Sequence, residues 1–138
     1  MNRILLVDDH ATFREPLAFV FDREPDFEVV GQAGSLVEAR PMLEGTDLAV
    51  VDLDLPGGTG LIGELRAVNP RGMVLVLTAS SDRKAHARAV ETGAAGVLHK
   101  SACIKDVIEA ALRLAAGEAI LSTDKFIELL RLAGRERE

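Results

Sequence analysis

Five short apolar runs recur along the chain, RILLV at 3–7, FEVVGQA at 27–33, DLAVV at 47–51, MVLVLT at 73–78 and GVLH at 96–99, with longer segments of mixed polarity between them. In two of those segments the apolar positions fall at helical spacing: Phe13, Leu17, Val20 and Phe21, then Ile104, Val107, Ile108, Ala111, Leu112 and Ala115. Such stripes are what a helix buries against a core. Strand-sized runs alternating with helix-sized segments predict an α/β domain built on a parallel sheet. Three of the runs are nearly unbroken Val, Leu and Ile, as in strands covered by helices on both faces. Helices are expected over 11–23, 35–44, 58–69, 82–92 and 104–116. Pro16 lies inside the first and, lacking a backbone donor, is expected to bend it near its first turns. Gly31, Gly93, Gly96 and Gly117 are assigned to turns or helix ends. Past Gly117, LSTDKFIELLRLAG offers a Ser-Thr-Asp start and a stripe of Phe126, Leu129 and Leu130, which predicts one extra helix. The expected organisation is a folded domain over 1–120 and a linker helix over 121–138.

At 138 residues the chain suits one domain and is short for two. No apolar stretch approaches the ~20 residues of a membrane span, and the run after Met1 is too short for a signal peptide. A cytoplasmic protein without membrane attachment is expected. Cys103 is the only cysteine, which excludes an internal disulfide and a cysteine-cluster metal site; it is read as a small helix-packing residue. The formal charge of −6 argues against a nucleic-acid surface on this segment, because phosphate binding needs clustered Lys and Arg.

In an open parallel sheet, ligands collect outside the carboxyl ends of the strands, near the point where the strand order reverses. The predicted strands end in Asp8 and Asp9, in Asp52, in Thr78 and Ala79, and in His99 and Lys100. Three carboxylates, a hydroxyl and an ammonium are thus expected on one rim. Clustered carboxylates repel one another and their pKa values rise unless a cation is present. Mg²⁺ suits this set, since it takes hard oxygen ligands and is held by a few carboxylates together with phosphate oxygens. Lys100 offers a point charge for an anion, and Thr78 a neutral donor that adds no repulsion. Asp52, ending the third run between the acidic pair on one side and Thr78 and Lys100 on the other, is the candidate nucleophile toward phosphorus.

With these residues in view, the chain resembles a response-regulator receiver domain over residues 1–117, on LLVDDH with Asp8 and Asp9, VVDLDLPGGTG with Asp52, VLTAS with Thr78, and GVLHKSA with Lys100. The resemblance implies a flavodoxin-like, doubly wound five-stranded sheet of order 2-1-3-4-5. It implies that Asp52 accepts a phosphoryl group from the phosphohistidine of a sensor histidine kinase and that Asp9 ligates Mg²⁺ directly with Asp8 in support. It further implies that the Asp54 backbone carbonyl is another metal ligand while its side chain tunes the phosphoryl lifetime, and that Thr78 and Lys100 hold phosphoryl oxygens. Phosphorylation then shifts a two-state switch. REPDFEVVGQAGS and the closing RLAGRERE resemble the LuxR/NarL-type transcriptional regulators. That implies DNA contact only through a helix-turn-helix domain outside this chain, and the switch is expected to lead either to a homodimer or to release of that effector domain. Two positions depart from the receiver pattern: Val97 stands where the switch ring is usual, three residues before Lys100, and Ser101 stands where many receivers have Pro.

Other readings share parts of the pattern. VVDLDLPGG also imitates the strand and Asp-x-Asp turn of haloacid-dehalogenase-like phosphatases, with Asp52 as nucleophile and Asp54 as general acid. Its place on the third run and the short chain oppose this. A flavodoxin-like cofactor binder would want glycines and backbone donors where the chain has the acidic DDHAT. A degenerate receiver acting through protein contacts alone has little reason to keep all five site residues. Among lesser candidates, His10 is assigned to capping or solvent, His86 to the surface, His99 to an exposed strand end, and SDRKAHAR to the wet face of the fourth helix.

Overall fold

In the computed structural model, which describes residues 2–80, 82–118 and 131, the alternation of runs becomes five strands and five α-helices. In chain order these are β1 (Asn2–Val7), α1 (Ala11–Asp22), β2 (Phe27–Ala33), α2 (Leu36–Ala39) with a 3₁₀ helix directly after it (Arg40–Gly45), β3 (Leu48–Asp52), α3 (Gly58–Val68), β4 (Met73–Thr78), α4 (Arg83–Thr92), β5 (Gly96–His99) and α5 (Ile104–Ala115). The sheet runs β2-β1-β3-β4-β5 with every neighbouring pair parallel. This is the doubly wound order that the family resemblance implied.

The near-continuous apolar runs are explained by burial on both faces. Along β1, Ile4 and Leu6 join Leu17 and Phe21 of α1 and Val107, Ile108 and Ala111 of α5 in one layer of core. The intervening Leu5 and Val7 join Leu61, Ile62 and Leu65 of α3 and Ala89 of α4 in the other. Successive strand residues point to opposite faces, so a strand sandwiched between helix layers has no wet side. Fully burying a Leu or Ile side chain stabilises the fold by about 1.5–3 kcal/mol, and these two layers carry most of that burial.

Several local expectations are corrected. The segment expected as one helix over 35–44 is a four-residue α2 followed by the 3₁₀ helix. Pro41 has no N–H to offer the Val37 carbonyl, so the α-ladder stops and tighter bonds take over. The first helix does hold Pro16 inside it as expected, running from Ala11 to Asp22. Gly31 and Gly96 lie within strands rather than in turns. At Gly31 the β1–β2 register slips, Ile4 pairing with Val29 and Leu5 with Gly31, and Met42 presses so closely that a Cβ would collide with its sulfur. Cys103 is exposed at the N-terminal boundary of α5 rather than buried among the helices. The helix expected over 121–138 lies outside the described residues, Arg131 aside. Among the described residues no helix is long and apolar enough to cross a membrane.

Candidate functional site

Parallel strands all finish at one edge of the sheet, so the polar residues that follow the apolar runs are gathered there. Asp52 is the last residue of β3 and Thr78 the last of β4, Asp8 and Asp9 follow β1, and Lys100 follows β5. Winding reverses between β1 and β3, which opens a crevice above their ends. Asp8, Asp52 and Thr78 are buried in its floor, at 5%, 2% and 0% exposure.

Local bonds aim each group. The Asp8 backbone is fixed by its N–H to Ala33 O (2.9 Å) and by Arg14 Nη1 donating to its carbonyl (2.6 Å). Its Oδ1 accepts the His10 N–H at 2.8 Å. Asp52 Oδ1 accepts the Asp54 N–H at 2.9 Å, a short side-chain turn of the kind aspartate favours. Gly57 then takes a left-handed φ of 77° at the entry to α3, where a side chain would also strike Leu36.

The Lys100 ammonium lies 2.9 Å from Asp8 Oδ2, 3.2 Å from Asp52 Oδ2 and 3.2 Å from His10 Nδ1. It also sits 5.1 Å from the centroid of the Phe13 ring. Burial pushes the Asp52 carboxyl above its usual range and the Asp8 charge adds to this, against the lowering bonds from the Asp54 N–H and Lys100. Burial alone would lower Lys100, but pairing with Asp8 and Asp52 outweighs it and the ammonium is held above its ordinary value. Ligand atoms of Asp8, Asp9, His10 and Asp52 all lie within 4.8 Å of one another. Asp8 Oδ2 is buried yet accepts no well-directed hydrogen bond. Hard oxygens crowded around one amino-acid cation are a donor set that fits a divalent ion.

Asp54 turns its carboxylate toward β4 instead. Its Oδ1 accepts the Thr78 hydroxyl at 3.2 Å and its Oδ2 the Ala79 N–H at 2.9 Å. Val97 is half-buried and packs against the core layer of α3 and α4.

The rim therefore brings together Asp8, Asp9, Asp52, Thr78 and Lys100 as expected from the strand ends, with Asp54 at its border. Three histidines that the sequence placed only at a helix start, on the surface and at a strand end make contacts that the sequence did not foretell. His10 stands at the N-terminal boundary of α1 but makes no side-chain cap; its Nδ1 is 3.1 Å from both Asp8 Oδ1 and Asp9 Oδ1. His86 is half-buried, with Nε2 2.9 Å from Ser80 O. His99 Nε2 is 2.9 Å from Ala79 O. Adjacency to Asp9 was the one signal available for His10; the others depend on how loops fold back.

A family model described as response regulator receiver domain matches residues 4–112. The nitrate/nitrite response regulator protein NarL of Escherichia coli strain K12 is 33% identical over 86% of this chain, and the chain spans 57% of NarL's length. The transcriptional regulatory protein UhpA of the same strain is 32% identical over 100% of this chain and 74% of its own length. A crystal structure of a two-component response regulator of the LuxR family, from Aurantimonas sp. SI85-9A1, is 30% identical and superposes with a TM-score of 0.78 over 99% of this chain and 98% of that one.

Proposed function

Because this chain belongs to the response regulator receiver domain family, we propose that Asp52 is the phosphoacceptor of a two-component signalling module and that the groups around it perform the transfer. The observation that carries the reading is the burial of Asp52 against Lys100, 3.2 Å away, within one cluster of metal-competent carboxylates. An ionised carboxylate needs no general base. One Asp52 oxygen forms a bond to phosphorus as the phosphorus–nitrogen bond of a kinase phosphohistidine breaks, and the departing imidazole keeps that electron pair and takes a proton. With acetyl phosphate the leaving group is acetate. Phosphoryl transfer asks mainly for positioning and charge neutralisation. Asp54 N–H orients one Asp52 oxygen, and Lys100 is placed to meet the incoming negative charge. Thr78 reaches a phosphoryl oxygen only by releasing Asp54, so the reaction and the switch share that hydroxyl.

Asp8, Asp9, Asp52 and the Asp54 backbone carbonyl would hold Mg²⁺, which supplies neutralisation of the phosphoryl oxygens when bound. Asp54, its carboxylate engaged with Thr78 and Ala79, is poorly placed as the general acid of a phosphatase. A sensor histidine kinase as donor, a cytoplasmic setting, a homodimer, and DNA reached only through a domain outside this chain complete the reading. Its transcriptional part leans on the regulators named above.

Incubation with acetyl phosphate and Mg²⁺ followed by intact mass tests it. One phosphoryl increment is expected, lost in Asp52→Asn and in chelator. Rapid turnover of phosphate esters with no increment on the protein would support the phosphatase instead.

A further inference from the structure

The ends of β4 and β5 are joined by a line of hydrogen bonds that phosphoryl transfer itself does not require. Thr78 pairs with His99 in the strand register. The Thr78 hydroxyl oxygen accepts the Ser80 N–H at 3.0 Å. That N–H belongs to the same peptide unit as the Ala79 carbonyl, which His99 Nε2 meets at 2.9 Å. On the other side of the ring, Nδ1 meets the Ser101 N–H at 3.0 Å, with Ser101 Oγ 2.8 Å away. A backbone N–H only donates and a carbonyl only accepts, so this network assigns the ring proton to Nε2 and occupies both nitrogens.

Both departures noted in the sequence meet at this ring. Val97 lies two residues before His99 on β5, so the two side chains share a face of the sheet. Ser101 supplies an N–H that a proline there would lack.

We propose that His99 is a positioning residue that couples the Thr78 hydroxyl to the turn between β5 and α5 through a single peptide unit, in place of a ring at position 97. The proposal rests on Asp52 being the phosphoacceptor. When the Thr78 hydroxyl moves from Asp54 to a phosphoryl oxygen, the Ser80 N–H loses its acceptor. The peptide is planar, so its Ala79 carbonyl turns with it, and His99 loses its partner. His86 holds the next carbonyl, Ser80 O, from α4 at 2.9 Å, which confines the rotation to the peptide between residues 79 and 80. The ring then reorients against Ser101, carrying the displacement to the start of α5. The coupling is thus a contiguous element with two arrangements that both ends can bias.

The chain has three histidines and no Trp or Tyr, which makes histidine ring resonances a direct readout. In the unphosphorylated protein the His99 nitrogens are expected to report the Nε2–H tautomer. Acetyl phosphate with Mg²⁺ is expected to shift the His99 ring signals together with the amides of Ala102 to Ile104. Ser101→Pro and His99→Ala should take up the phosphoryl group as the parent does yet lose the Cys103 and Ile104 response, and Ser101→Ala, which keeps the N–H, should retain it. A phosphorylated parent whose His99 signals stay in place overturns the proposal, and this reading needs no variant to fold. So does a phosphorylated Ser101→Pro or His99→Ala protein that still shifts those amides. A parent that takes up no phosphoryl group overturns the reading of Asp52 instead, and this coupling with it.

Discussion

The Asp52 carboxyl is held above its ordinary value, first by burial and then by Asp8. When the folded-state value exceeds the unfolded one, folding favours the protonated form, and ionisation weakens the fold as pH rises through the interval between them. In chelator at neutral pH, Asp52→Asn is therefore expected to raise the urea midpoint, since it removes the charge and keeps the shape. The advantage should vanish in acid, below both values, where the native carboxyl is neutral too. Urea titrations of the two proteins at neutral and acid pH check this, and a variant equally or less stable at neutral pH would count against it. At this scale Asp8, Asp9, Asp52, Thr78 and Lys100 were legible because each follows an apolar run whose direction the parallel sheet dictates. His10, Phe13, His86 and His99 were not. Their roles depend on where a ring nitrogen or ring face points after the backbone turns, and in sequence they are only a helix-start residue, a core residue, a surface residue and a strand end.

Among the elements, strands and long helices were readable from periodicity, as α5 shows: Val107, Ile108, Ala111 and Leu114 are buried on one side. The segment after Ser35 was not, because Leu36, Val37, Ala39 and Leu43 imitate a helical stripe across Pro41 while the proline denies the ladder a donor. Position Gly31 was misread for a related reason. It is needed for the close approach of Met42 to the sheet, a contact between segments distant in the pattern. The helix α3 carries the loop after Asp52 away from the rim, and its Leu65 is 0% exposed. Leu65→Ala is expected to cost about 2–5 kcal/mol of stability, the range for truncating a buried leucine, read as a drop in denaturant midpoint. Protein that remains folded should still label at Asp52, because Leu65 touches the core rather than the site. Loss of labelling without loss of stability would place Leu65 in the chemistry after all.

For the whole molecule, the two core layers are completed around a rim where like charges are crowded, so the fold is least comfortable there. A divalent ion that binds only the folded chain should raise stability by about 2.7 kcal/mol at a free concentration a hundred times its dissociation constant. Thermal melts with and without Mg²⁺ measure this, and the gain should disappear when Asp8 and Asp9 are both changed to Asn; a gain surviving that change would place the ion elsewhere. The order of the strands leaves β2 and β5 at the two margins of the sheet. The first is interrupted by the register slip at Gly31 and the second is only four residues long. Short or bulged margins make poor templates for a further strand. Two copies meeting in solution would then find little to zip together backbone to backbone, which guards against fibre-like stacking.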